Sequence, residues 1–121
     1  MAAEKNFENR LKKHLKEKGC WFIKYWAGAA FTKEGIPDLL VCCDGRFIAI
    51  EVKSLKGEPS ILQLYNLKKI DEAGGFGILL YPNMWDDFKL FIQNPVNRAN
   101  WYKKNLDLQK EWFEKLMKVG G

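Results

Sequence analysis

Apolar residues recur every fourth position, at Phe7, Leu11 and Leu15, through an otherwise lysine-rich stretch. That spacing predicts a basic amphipathic helix over residues 4–18, with Gly19 as its stop. Residues 21–26 are aromatic and alternate imperfectly, as a first strand would, and a Gly- and Ala-rich loop follows from 27 to 35. Two apolar runs, Leu39 to Cys43 and Phe47 to Ile50, then flank Asp44-Gly45. Asp-Gly between apolar runs signals a two-residue type I′ hairpin, because both turn residues must take φ > 0. Pro37 stands where a strand begins, a place that tolerates its missing donor. The turn sets the register: Cys43 faces Arg46, Val41 faces Ile48, and Asp38 faces Glu51.

Beyond the hairpin, residues 54–59 read as a loop. Ser60 opens a second helix running to Gly74-Gly75, with Ser60 and Gln63 at capping-box spacing. Residues 76–81 form a continuous apolar run, consistent with a buried strand parallel to the second hairpin strand through the intervening helix. Residues 86–92 fit either a short helix or a strand. Residues 96–119 carry Trp101, Leu108, Trp112 and Leu116 at helical spacing, with a break expected near Asn105-Leu106-Asp107; such a stripe is more often core or a subunit contact than a ligand platform. The expectation is one α/β domain over residues 1–121. Its core, about 4–82, is a helix, a three-strand antiparallel meander, a helix and a parallel strand, giving a mixed sheet flanked by helices. A mainly helical extension covers 93–121.

The predicted register carries the chemistry. Residues opposed across an antiparallel pair share a face with Cβ atoms roughly 4.5 to 5.5 Å apart, and like charges so placed repel. Asp38 and Glu51 therefore call for a compensating cation. Mg²⁺ fits, being a hard ion held by one or two carboxylates together with substrate phosphates. Lys53, two residues past Glu51, projects from the same face. Taken singly, each residue has a plainer account: Asp38 as a turn residue, Glu51 as a surface partner of Lys53 or Lys24, and Lys53 as a solvated strand end. The opposed register is what favours a site.

Composition narrows the partners. The chain has 20 Lys and Arg against 15 Asp and Glu, a net charge of +5, and every cation except Arg10, Arg46 and Arg98 is lysine. Such an excess suits a polyanion through its phosphates, although it also serves solubility. Candidate contacts to a DNA backbone are Lys12, Lys13, Lys16, Lys24, Lys33 and Lys56, and Trp26 and Phe31 are candidates for stacking on bases. Cys20, Cys42 and Cys43 have no metal-ligand spacing, and their odd number argues against a disulfide framework, so they read as small buried apolar residues. The single histidine, His14, reads as solvent-facing. With no P-loop, GxGxxG or nucleophile elbow, no nucleotide cofactor is expected. With no signal peptide and no apolar run of about 18 residues, the expectation is an intracellular protein with no membrane partner.

An acid before the first hairpin strand, followed by an acid, a spacer and a lysine at the end of the second, resembles the PD-(D/E)XK nuclease superfamily. With Glu8, Gly35-Ile36-Pro37-Asp38, Glu51-Val52-Lys53 and Gln63, the pattern is similar more narrowly to the VRR-NUC domain, including its stand-alone phage type, whose relatives include Holliday-junction resolvases. The resemblance covers residues 4–82. It implies a Mg²⁺-dependent endodeoxyribonuclease, with Mn²⁺ able to substitute, that cleaves branched DNA as a homodimer in repair or recombination. Asp38, Glu51 and the Val52 carbonyl would hold the metal, Glu8 would complete its shell through water, Lys53 would act on the nucleophile or the phosphate, and Gln63 would position either. Alternatives are a nuclease of flaps, nicks or duplex, and a non-catalytic DNA-binding module of the same fold. Outside the resemblance, Glu8 has an i, i+4 partner in Lys12, and Gln63 is explained as a cap.

Overall fold

A computed structural model of the chain describes residues 2–26 and 34–120. Helix α1 (Ala2–Glu17) leads into strands β1 (Trp21–Lys24), β2 (Leu39–Cys43) and β3 (Arg46–Val52). Helix α2 (Ile61–Glu72), strand β4 (Phe76–Leu80), a short 3₁₀ turn (Pro82–Met84) and helices α3 (Trp85–Gln93) and α4 (Pro95–Gly120) follow. The four strands form one sheet in sequence order; β1, β2 and β3 are antiparallel and β4 runs parallel to β3. This is the mixed α/β sheet that the hydrophobic pattern predicts.

The hairpin is a local consequence of its turn. Asp44 and Gly45 take φ of 54° and 73°, the left-handed pair that a type I′ turn demands. The register follows, pairing Cys43 with Arg46, Val41 with Ile48 and Leu39 with Ile50. There the ladder stops. Asp38 lies one residue beyond it, and its carboxylate rather than its backbone reaches across to β3.

The two faces of the sheet are covered differently. Val41, Ile48, Ile50, Ile78 and Leu80 share a core with Phe7, Leu11 and Leu15 of α1 and Phe88 and Phe91 of α3. Phe88 and Phe91 are fully buried, which stabilises the fold by about 1.5 to 3 kcal/mol apiece. Leu79 and Tyr81, pointing the other way, pack with Leu64 and Leu67 of α2 and with Leu108, Trp112 and Leu116 of α4. Gly77 permits the close approach of α2, since a Cβ there would run into the Leu67 backbone.

The structure decides one open alternative and corrects three expectations. Residues 86–92 are helical, because Phe88, Phe91 and Ile92 lie on one buried face. Helix α4 continues unbroken through Asn105. That residue is 2% exposed because its side chain pairs with β4: Oδ1 accepts from Leu79 N at 3.0 Å and Nδ2 donates to Leu79 O at 2.8 Å. Gln109 Nε2 and the Tyr102 hydroxyl bond Gly77 in the same way, so α4 occupies the edge where a fifth strand would pair. Cys20 and Cys43 form a disulfide, since the pairing of Trp21 with Cys42 places them opposite each other one step further out; Cys42 remains a free, exposed thiol. His14 does not face solvent freely. Its ring meets Trp85 edge-on at 5.3 Å, its Nε2 is buried without a partner, and that burial, with Lys18 and Lys89 nearby, lowers its proton affinity.

Candidate active site

Asp38 is held by the turn before it. Gly35 takes φ +74°, and a Cβ there would overlap the Leu62 side chain, which is why glycine opens Gly35-Ile36-Pro37-Asp38. Asn66 of α2, 5% exposed, donates to the Gly35 carbonyl at 3.0 Å and ties the turn to the helix. The Asp38 carbonyl then accepts from Tyr25 N at 2.9 Å, and its carboxylate Oδ2 accepts from Val52 N at 2.9 Å. One residue thus bridges the extensions of β1 and β3. Its second oxygen, Oδ1, stands 3.4 Å from Lys24 Nζ.

Glu51 is the strained member of the group. It is 2% exposed, its Oε2 lies 3.2 Å from Lys53 Nζ, and its Oε1 is buried with no hydrogen-bond partner. Burial and the neighbouring Asp38 carboxylate push its carboxyl up to about 8, against the pull of the Lys53 ammonium. A carboxylate costs several kcal/mol to bury uncompensated, so it takes a proton or a cation. Lys53 continues the strand, donating its N–H to Leu80 O.

Glu8 reaches the group from α1, but through a lysine. Its Oε1 is 2.6 Å from Lys24 Nζ and its Oε2 is 3.2 Å from Lys12 Nζ. Burial would raise its carboxyl, yet the two ammonium groups outweigh it and hold the carboxyl below its usual range. Lys24, between Glu8 and Asp38, is itself held protonated by both against its own desolvation. Asp38, Glu51 and Glu8 therefore do not close on one point: among the described residues no three acids, histidines or cysteines are grouped to hold an ion. Lys24 is the residue that sequence reasoning placed elsewhere, as a DNA contact or a surface partner. The signal was its alternation in β1, which sets it opposite Leu39 and so beside Asp38.

Gln63 is committed to the start of α2. Its side chain accepts from Ser60 N at 2.9 Å while its own N–H donates to Ser60 Oγ at 3.1 Å, a complete capping box. Of the candidate DNA contacts, Lys13, Lys16 and Lys56 are exposed, whereas Lys12 and Lys24 are taken up in ion pairs. Lys33 and Phe31 lie outside the described residues. Trp26 is 74% exposed, with the Lys24 ammonium 5.7 Å from the centre of its ring.

These residues span the stretch that the comparisons identify. Residues 2–73 match the family model of the archaeal Holliday junction resolvases, Hjc. The chain belongs to this family. No curated protein and no solved structure matches it significantly. Hjc proteins form a PD-(D/E)XK-superfamily family of DNA nucleases that bind branched DNA, so the superfamily expectation stands and the protein is a nuclease. Glu8, Asp38, Glu51, Lys53 and Gln63 all fall inside the Hjc match, while β4, α3 and α4 lie beyond it.

Proposed function

We propose that this chain hydrolyses phosphodiester bonds in branched DNA, four-way junctions foremost, using Mg²⁺ held at Asp38 and Glu51. The buried, unpartnered Glu51 Oε1 beside Asp38 carries the reading. A hard-oxygen donor set short of positive charge is what Mg²⁺ fits. Asp38, Glu51 and the Val52 carbonyl would hold the ion, with Glu8 reaching it through water once Lys24 yields. When bound, a divalent cation supplies Lewis acidity toward the phosphate and lowers the pKa of water.

The chain's own groups do the rest. Lys53, its stem buried and its ammonium beside Glu51, orients the attacking water or stabilises charge developing on the phosphate. Asp38 is kept from rotating by the Val52 N–H, so the site is organised before DNA arrives. Exposed Lys13, Lys16 and Lys56 contact backbone phosphates, and Gln63 acts indirectly by starting α2. The further likeness to VRR-NUC proteins of phages rests on the same residues and belongs to this reading. A four-way junction has two-fold symmetry, and a homodimer presents two sites to it.

Asp38→Ala is expected to abolish Mg²⁺-dependent cleavage of a four-way junction while leaving salt-sensitive binding in place. Removing one acid lowers metal occupancy and also relieves repulsion of the phosphate. Undiminished cleavage by that variant would falsify the site assignment. Paired, symmetric cuts in a junction, with linear duplex left largely intact, separate resolution from a general activity on flaps, nicks or duplex.

A further inference from the structure

The stem of Lys53 lies against the loop that follows β3. Gly57, in the turn after β3, packs so closely that a Cβ on it would sit 3.3 Å from both Cβ and Cδ of Lys53. The Lys53 side chain is 12% exposed and its ammonium sits 3.2 Å from Glu51, so the Gly57 backbone forms one wall of the channel that the lysine stem occupies. That wall is anchored at two points. Gly57 N donates to Ser54 O at 2.9 Å, and the Gly57 carbonyl accepts from the Tyr81 hydroxyl at 2.7 Å.

Tyr81 is itself fixed from behind. It is 7% exposed among Leu64, Leu67 and Leu79, and the Trp112 side chain of α4 packs against the same cluster. A run of contacts therefore leads from α4, beyond the segment that matches the resolvase family, to the amine beside Glu51. Burial, the neighbouring Glu58 charge adding to it, raises the Tyr81 hydroxyl to about 12 despite the opposing influence of Trp112, so it remains a donor at any working pH.

We propose that Tyr81 is a positioning residue for Lys53: by holding the Gly57 carbonyl, it keeps the 54–59 loop against the lysine stem and the ammonium at Glu51. The inference rests on the reading of Lys53 as an active group. A lysine carries several rotatable bonds, and a reacting group displaced by an ångström loses much of its rate. The hydroxyl thus acts on turnover through geometry, without touching DNA.

Tyr81→Phe keeps the ring and removes the one bond. At saturating junction and Mg²⁺ the cleavage rate should fall about tenfold, with junction affinity within about twofold of wild type. In protein carrying ¹³Cε-lysine, the Lys53 resonance should lose order in the variant. Trp112→Phe, which trims the indole packed against the cluster that holds Tyr81, should shift both readouts the same way by less, and stands in if Tyr81→Phe fails to fold. An unchanged rate with unchanged Lys53 order overturns the proposal, as does a slower rate with Lys53 order intact. Lost Lys53 order with no change in rate upholds the latch and removes Lys53 from the chemistry. If the wild-type protein cleaves no DNA, the nuclease reading fails and the Lys53 resonance alone decides the latch.

Discussion

Glu51 and Asn105 are both 2% exposed, and they approach β4 at the same residue from opposite sides. Glu51 is the partner of Leu79 in the parallel ladder, and Asn105 bonds the outward N–H and C=O of Leu79 from α4. Asn105 is fully answered, with Gln109 Nε2 adding a third bond to its Oδ1 at 2.8 Å. Glu51 has one oxygen on Lys53 and one on nothing. Buried polar groups in folded proteins are overwhelmingly paired, so the contrast separates two purposes. The α4 edge spends its polar groups on holding the sheet together, whereas the ends of β2 and β3 leave a carboxylate in want of a cation.

The largest expected effect lies in the titration of Glu51. Its carboxyl sits at about 8 in the fold against 4.5 as the ordinary value, so between these pH values the folded chain keeps a proton that the unfolded chain has released. Its contribution to stability is constant below about 4.5 and is lost as pH rises through about 8, by on the order of 5 kcal/mol for a shift of this size. Urea melts of wild type and Glu51→Gln across that window isolate the difference: the wild type should weaken relative to Glu51→Gln as pH rises. Parallel curves would show that Glu51 is compensated after all, and the contrast with Asn105 would collapse.

Asn105→Leu tests the other side. It leaves the Leu79 N–H and C=O without partners at a buried edge and takes an acceptor from Gln109, at a cost of about 2 to 3 kcal/mol. The measurement is a shift in the urea midpoint at constant slope, and the loss should be equal at pH 5 and pH 8, since nothing in that network titrates nearby. A pH-dependent loss would mean that the two sides of Leu79 communicate.

The hairpin was legible because its determinants are local. Asp44-Gly45 dictates the turn, the turn dictates the register, and the register brings Asp38 and Glu51 to one end of one face; Ser60 and Gln63 likewise cap their own helix. What escaped depends on partners distant in the chain. Nothing near Asn105 tells that β4 will need its amide, so a polar residue in a helical stripe reads as a break. Cys20 meets Cys43 only once β1 has docked on β2, and His14 is covered only when α3 brings Trp85. Lys24 was visible as a cation but not as the bridge between Glu8 and Asp38, because that role requires α1 to lie over the end of the sheet.

The smallest expected effect asks whether a cation relieves what a proton relieves. At pH 8, where Glu51 is part-ionised, Mg²⁺ at about ten times its dissociation constant should stabilise the wild type by roughly 1.4 kcal/mol, the linkage expected for one site. Melting temperatures with and without the ion read this directly, with chelation restoring the lower value. Glu51→Gln should gain almost nothing, because the charge that draws the ion is gone. Asn105→Leu should gain as much as wild type, because its defect lies on the far side of Leu79, where no charge is wanting. An equal gain in all three proteins would place the ion elsewhere and leave the unpaired oxygen of Glu51 without its explanation.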